Sequence, residues 1–171
     1  VKDLESQGMK SMIVDLRDNP GGMINSVTDI LDQILPEGVT VWTEDKNGNR
    51  KEYKSDAACM DYPMVVLINE NSASSSEIFA GAIRDFKYGT LIGTTTFGKG
   101  IVQSIRQMAD GSAFKLTTAK YYTPNGENIQ GEGIDPDIEL EYEYLDPDAE
   151  TYDIMQDNQI LKAIEVLQGQ K

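Results

Sequence analysis

The sequence predicts an α/β fold, and three observations carry that prediction. Strand-like and helix-like stretches alternate through the first half of the chain. The run MVVLI at residues 64–68 is short and wholly apolar, as expected of a strand buried on both faces. A strand, a polar turn and a helix follow one another twice, at DLRDNPGG and at INENSASSSE. Asn47-Gly48 and Asp110-Gly111 add hairpin signals, so a mixed sheet with flanking helices is expected.

Residues 1–7 read as the end of a helix closed by Gly8, the favoured residue just past a helix C-terminus. A strand follows in SMIVDLRDN, with Met12, Val14 and Leu16 on one face, and Pro20-Gly21-Gly22 breaks it. Val27, Ile30, Leu31 and Ile34 then recur at helical spacing until Pro36 and Gly38. Residues 39–55 form a hairpin around Asn47-Gly48, and the apolar strand at 64–68 leads into NSASSSE and a helix to about Asp85. Residues 90–93 read as a strand, TTTFGKG as a loop, and IVQSIRQ and SAFKLTTAKYYT as paired strands. After a loop over 124–133, Ile138, Leu140, Tyr142 and Tyr144 alternate with glutamates, which predicts a strand with one wet face. Residues 158–167 predict a terminal helix.

At 171 residues the chain is one domain or a piece of one, long enough to bury a sizeable core. Its opening in what reads as the last turns of a helix suggests a fragment of a longer protein. The formal net charge of -14 repels phosphate backbones and anionic membrane surfaces, so neither nucleic acid nor a membrane is an expected partner. Cys59 is the only cysteine and there is no histidine, which rules out an intrachain disulfide and the usual zinc ligand sets. No metal or cofactor is expected.

In open α/β sheets, sites form at the carboxyl ends of strands. The two strand–turn–helix junctions are therefore the places to look for chemistry. Ser74 and Glu77 spell S-x-x-E, a helix capping box. The same position is a chemical opportunity, because the first N–H groups of a helix lack intrahelical partners and lie at the positive end of its dipole. An oxyanion beside Ser74 could be held by the Ser75 N–H and by a glycine amide from Gly21 or Gly22. With no histidine, a serine nucleophile needs another base, and a serine–lysine pair is an established variant. Lys99 stands between two glycines, and Gln103 lies an even spacing beyond it, where its amide could aim the amine. A free lysine titrates near about 10.4, whereas a working base sits near about 7 to 8. Only burial closes that gap, so Lys99 is expected to be largely buried among apolar groups. Residues 93–99, GTTTFGK, also fit the G-x-x-x-x-G-K phosphate loop, but Gly100 replaces the magnesium-binding Ser or Thr and a strand rather than a helix follows.

Taken together, DLRDNPGG, NENSASSSEIFAGAI, GTTTFGKGIVQ and KYYTPNGENIQGEGIDPDI resemble the carboxyl-terminal processing peptidases, or tail-specific proteases, from about Met9 onward. The resemblance implies a crotonase-like, ClpP-related fold and a Ser/Lys dyad: Ser74 as nucleophile, Lys99 as base and Gln103 as its positioning residue. It places the oxyanion hole at Gly21 and the Ser75 N–H, with Gly22 as the alternative to Gly21. Family members often carry alanine where this chain has Ser75, and only a backbone N–H is asked of that position. The resemblance further implies an unfolded or tail-presenting polypeptide substrate, upstream helical and PDZ regions in the full-length protein, and an extracytoplasmic bacterial setting; it is compatible with a homo-oligomer. Two alternatives stand beside it: an inactive peptide-binding or scaffold module of the same fold, and a nucleotide-binding domain at residues 93–99.

Overall fold

The computed structural model describes residues 1–146 and 151–169. Among these, the elements run α1 (Lys2–Ser6), β1 (Met12–Asp15), α2 (Ile24–Ile34), β2 (Gly38–Asp45), β3 (Arg50–Ser55), β4 (Met64–Ile68), α3 (Ser75–Asp85), β5 (Gly89–Gly93), β6 (Ile101–Gln107), β7 (Ala113–Tyr122), β8 (Ile138–Glu139) and α4 (Asn158–Gly169), with a 3-10 turn at Ile154–Gln156. The α/β class is the one predicted. Parallel and antiparallel pairing are divided between two four-stranded sheets, one ordered β1-β4-β5-β8 and wholly parallel, the other ordered β3-β2-β7-β6 and wholly antiparallel.

Strand β4 explains the layering. Met64, Val66 and Ile68 face a core shared with α2, α3 and Val41 of β2. Val65 and Leu67 point the other way, against Ile160, Ala163 and Leu167 of α4. All five residues of β4 are buried, as its apolar run predicts. The α2 periodicity holds for Val27, Leu31 and Ile34, but Ile30 is 50% exposed and belongs to the wall of a surface cavity rather than to the core.

The strand expected to run through Tyr144 stops at Glu139. Its partner β5 ends at Gly93, whose carbonyl accepts the Leu140 N–H at 2.9 Å, and no further strand pairs with it among the described residues. Instead the next carbonyls bind the start of α4: Asn158 Nδ2 donates to Glu141 O at 2.8 Å and Asn158 N to Glu143 O at 3.2 Å. Arg17, just past β1, secures the same junction, donating to Gln159 Oε1 at 2.9 Å and pairing with the fully buried Asp157 at 2.9 Å. Asp157 Oδ1 in turn accepts the Gln159 and Ile160 N–H groups at 3.0 Å each, so one carboxylate both caps α4 and binds β1.

Candidate active site

The two junctions singled out in the sequence leave the carboxyl ends of adjacent parallel strands, β1 and β4, and they are bound to each other. The Asn19 carbonyl accepts the Ala73 N–H at 3.0 Å and the Ser76 hydroxyl at 3.0 Å. Ser72 Oγ donates to Leu16 O at 2.7 Å. Asp18, held at φ 57°, accepts Asn69 Nδ2 at 3.0 Å and Asn71 Nδ2 at 2.8 Å. Gly21 has φ +86°, and a Cβ there would lie 2.4 Å from Ala73 O and 2.7 Å from Ser75 N. Glycine is needed at that point because the turn packs directly on the backbone around Ser74.

Ser74 caps α3 with φ 58° and ψ −116°, a region costly for a residue with a side chain, of order 1–3 kcal/mol. Such strain persists where the surroundings over-determine it. Here the main restraint is Glu77. Its carboxylate is fully buried and accepts from the Ser74 N–H at 2.8 Å, Thr96 Oγ1 at 2.7 Å, the Gly98 N–H at 2.7 Å and the Lys99 N–H at 2.9 Å. Sequence reasoning saw only the first of these bonds, the capping box. The other three draw the 96–99 loop onto the start of α3 and bring Lys99 beside Ser74. They also use the amides that a phosphate loop would offer its ligand: the Gly98 and Lys99 N–H groups are taken by an anion of the protein itself. The chain then enters β6 rather than a helix, so residues 93–99 do not have the architecture of a nucleotide site.

Ser74, Ser75, Gly22, Lys99 and Gln103 line one cavity of about 430 Å³, and Val102, Tyr121 and a second lysine, Lys115, are also in its walls. Lys99 is half-buried, less enclosed than expected, because its backbone is held down by Glu77 while the cavity it lines stays open. Gln103 is exposed and sits at a register shift in β6. Neither the Lys99 amine nor the Gln103 amide has a hydrogen-bond or ion-pair partner among the described residues. The glycine amides are engaged: Gly21 N–H donates to Asn19 Oδ1 at 2.9 Å, and Gly22 N–H to Ser75 Oγ at 2.5 Å. The Ser75 N–H, at the first position of α3, has no acceptor among the described residues.

A second, apolar cavity of about 470 Å³ adjoins the first and shares Gly22, Met23 and Ser75 with it; Val14, Leu16, Ile30 and Phe79 are among its lining residues.

The arrangement is that of a serine, a lysine and a turn of backbone amides gathered at the mouth of one cleft beside an apolar hole. Comparison with known proteins decides what kind of protein carries it. The description "Peptidase family S41" matches residues 1–140. The chain belongs to peptidase family S41. A carboxyl-terminal-processing protease of Synechocystis sp. is 43% identical over 139 residues, covering 81% of this chain and 33% of that protein. A carboxy-terminal-processing protease of Bartonella bacilliformis is 43% identical over 148 residues, covering 82% of this chain and 34% of that protein. Among solved structures, the photosystem II D1 C-terminal processing protease superposes with a TM-score of 0.76 at 35% identity, over 90% of this chain and 39% of that one. The tricorn protease superposes at a TM-score of 0.58 and 25% identity, over 94% of this chain and 15% of that one. The α/β architecture of this family S41 chain is thus shared with known proteases, and the chain spans about a third of the length of the curated relatives it matches.

Proposed function

We propose that this family S41 chain is the catalytic core of a serine endopeptidase that cleaves unfolded or tail-presenting polypeptides through a Ser74/Lys99 dyad. One observation carries the reading: the buried Glu77 carboxylate holds the Ser74 and Lys99 amides together and sets both residues in one cleft. Ser74 Oγ attacks the scissile carbonyl carbon, and Lys99 Nζ takes the hydroxyl proton. The oxyanion forms beside the free Ser75 N–H, with a second donor from the glycine turn. The C–N bond then breaks as Lys99 returns its proton to the leaving amine, and water hydrolyses the acyl-enzyme by the same route in reverse. Gln103 orients the lysine when substrate fills the cleft. The adjoining apolar cavity takes an apolar side chain of the substrate next to the cleaved bond.

Two features describe a resting site. The Gly21 and Gly22 amides are bonded to Asn19 and Ser75, and the Lys99 amine has no partner among the described residues. Catalytic hydrogen bonds are often loose until substrate is bound. The longer protein, with the helical and PDZ regions and the extracytoplasmic setting that we also propose for it, is where turnover is expected. Cleavage of an unfolded protein by that longer chain tests the reading: Ser74→Ala and Lys99→Ala should each abolish it, and undiminished turnover in either variant would rule the dyad out.

A further inference from the structure

Glu77 restrains the dyad from the N–H side. On the carbonyl side of the same two residues stands one side chain that no step of the chemistry uses. The Tyr121 hydroxyl donates to the carbonyl of Lys99 and lies 3.2 Å from the carbonyl of Ser74. We propose that Tyr121 is a positioning residue of the peptidase site, a hydroxyl staple that fixes the separation of the Ser74 and Lys99 backbones; the proposal rests on the dyad reading above.

The geometry supports it from several directions. Tyr121 is 2% exposed and lines the same cavity as Ser74 and Lys99. Its own backbone is fixed beside the base: Tyr121 N donates to Gly100 O at 3.0 Å, and Asn128 Nδ2 bonds both Tyr121 O at 2.7 Å and Gly100 O at 3.3 Å. The backbone that carries the ring is therefore tied to the residue that follows Lys99. Burial, with the nearby Glu77 charge adding to it, pushes the phenol well above its ordinary titration range, so the hydroxyl stays a donor. Acceptor and donor are complementary: Glu77 receives the N–H groups of Ser74 and Lys99, and the single Tyr121 O–H points at their carbonyls, bonding chiefly that of Lys99. The peptide groups of nucleophile and base are clamped on both sides, while their side chains remain free to react. A misplacement of about 1 Å at such a site can cost about 100-fold in rate, so a hydroxyl that fixes the spacing should be visible in kinetics.

The test uses the longer protein and a fluorophosphonate, which reacts with activated serines. Endpoint labelling reports how much protein is folded, whereas the labelling rate constant reports how well Ser74 is activated. Tyr121→Phe removes only the hydroxyl and should lower the rate constant about tenfold or more, in line with the misplacement cost above, at an undiminished endpoint. Replacing Tyr121 by 4-aminophenylalanine, which keeps a donor at that position, should restore the rate whether or not the phenylalanine variant folds well. In a Lys99→Ala background, Tyr121→Phe should slow labelling no further, because the pairing it serves is already lost. A wild-type rate in Tyr121→Phe, no rescue by the amino variant, or a full additional loss without Lys99 would each overturn the staple. Absence of label at Ser74 in the unsubstituted protein would instead overturn the dyad on which it rests.

Discussion

Glu77→Gln is the substitution that probes the site most sharply. It keeps volume and shape but replaces one carboxylate oxygen with an N–H₂ group. In the structure each oxygen already receives two donors: Oε1 from Thr96 Oγ1 and Gly98 N, and Oε2 from Ser74 N and Lys99 N. Whichever way the amide turns, its N–H₂ faces two buried donors. The less damaging choice faces Thr96, whose hydroxyl can rotate, and still orphans the Gly98 N–H. A buried donor left unsatisfied costs about 1–3 kcal/mol, and hydrogen bonds to a charged acceptor are worth about 1.5–3 kcal/mol each, so a loss of about 2–4 kcal/mol in stability is expected. Urea unfolding of the chain measures it. Activity should suffer more than stability suggests, because the lost Gly98 bond anchors the loop that carries Lys99 and the Ser74 and Lys99 N–H groups keep only a neutral acceptor; a 100-fold slower fluorophosphonate labelling of Ser74 is about the expected size. If Glu77→Gln left both the unfolding midpoint and the labelling rate of the wild type, the carboxylate would not be the organiser of the site.

Other consequences follow from the same geometry. Gly21→Ala should both destabilise the chain and slow labelling, since its Cβ would lie 2.4 Å from Ala73 O in a left-handed backbone; wild-type melting and labelling would contradict the close packing of the turn. Ser75→Ala releases the Gly22 N–H from a neutral hydrogen bond worth about 1 kcal/mol, so kcat should rise about fivefold if that amide serves the oxyanion, and a fall in kcat would show the hydroxyl to be needed. Ile30→Asp, in the wall of the apolar cavity, should lower kcat/KM for substrates with a large apolar residue beside the cleaved bond more than for those with a small one; equal effects on both would deny the cavity that role. Tyr121 also makes a pH prediction. Folding raises its titration point, so its hydroxyl contributes stability that is complete below the unfolded value near about 10 and is lost as pH rises beyond it. The difference in unfolding free energy between wild type and Tyr121→Phe should therefore shrink above about pH 10, and a difference constant across that range would refute the assignment.

Much of this was legible in the chain. The apolar run of β4, the helical spacing of Val27, Leu31 and Ile34, and the two hairpin turns gave the elements, because local periodicity and turn chemistry were enough to specify them. The serine cluster and the glycine-flanked lysine could be picked out as a candidate site because each follows a strand end or lies in a glycine-bearing loop. Other features were not legible, since each depends on a partner distant in sequence. The strand after Ile138 was overestimated because alternation cannot reveal that β5 ends at Gly93 and leaves nothing to pair with. Glu77 looked like a cap and no more, because three of its four partners lie at residues 96–99, across a loop and a strand. Tyr121 looked like one aromatic in a β-strand; only the sheet order places its hydroxyl under two carbonyls of the site. The engagement of the Gly22 amide by Ser75 was also invisible, because the sequence asked only for a backbone N–H at that position.

The central claim is that Ser74 is made nucleophilic by Lys99. Mass-spectrometric mapping of the fluorophosphonate adduct on the longer protein, with and without Lys99→Ala, tests it most directly. The account predicts a single adduct on Ser74 that forms far more slowly when Lys99 is replaced and the protein stays folded. An adduct on another serine, or one on Ser74 that forms equally well without Lys99, would contradict it.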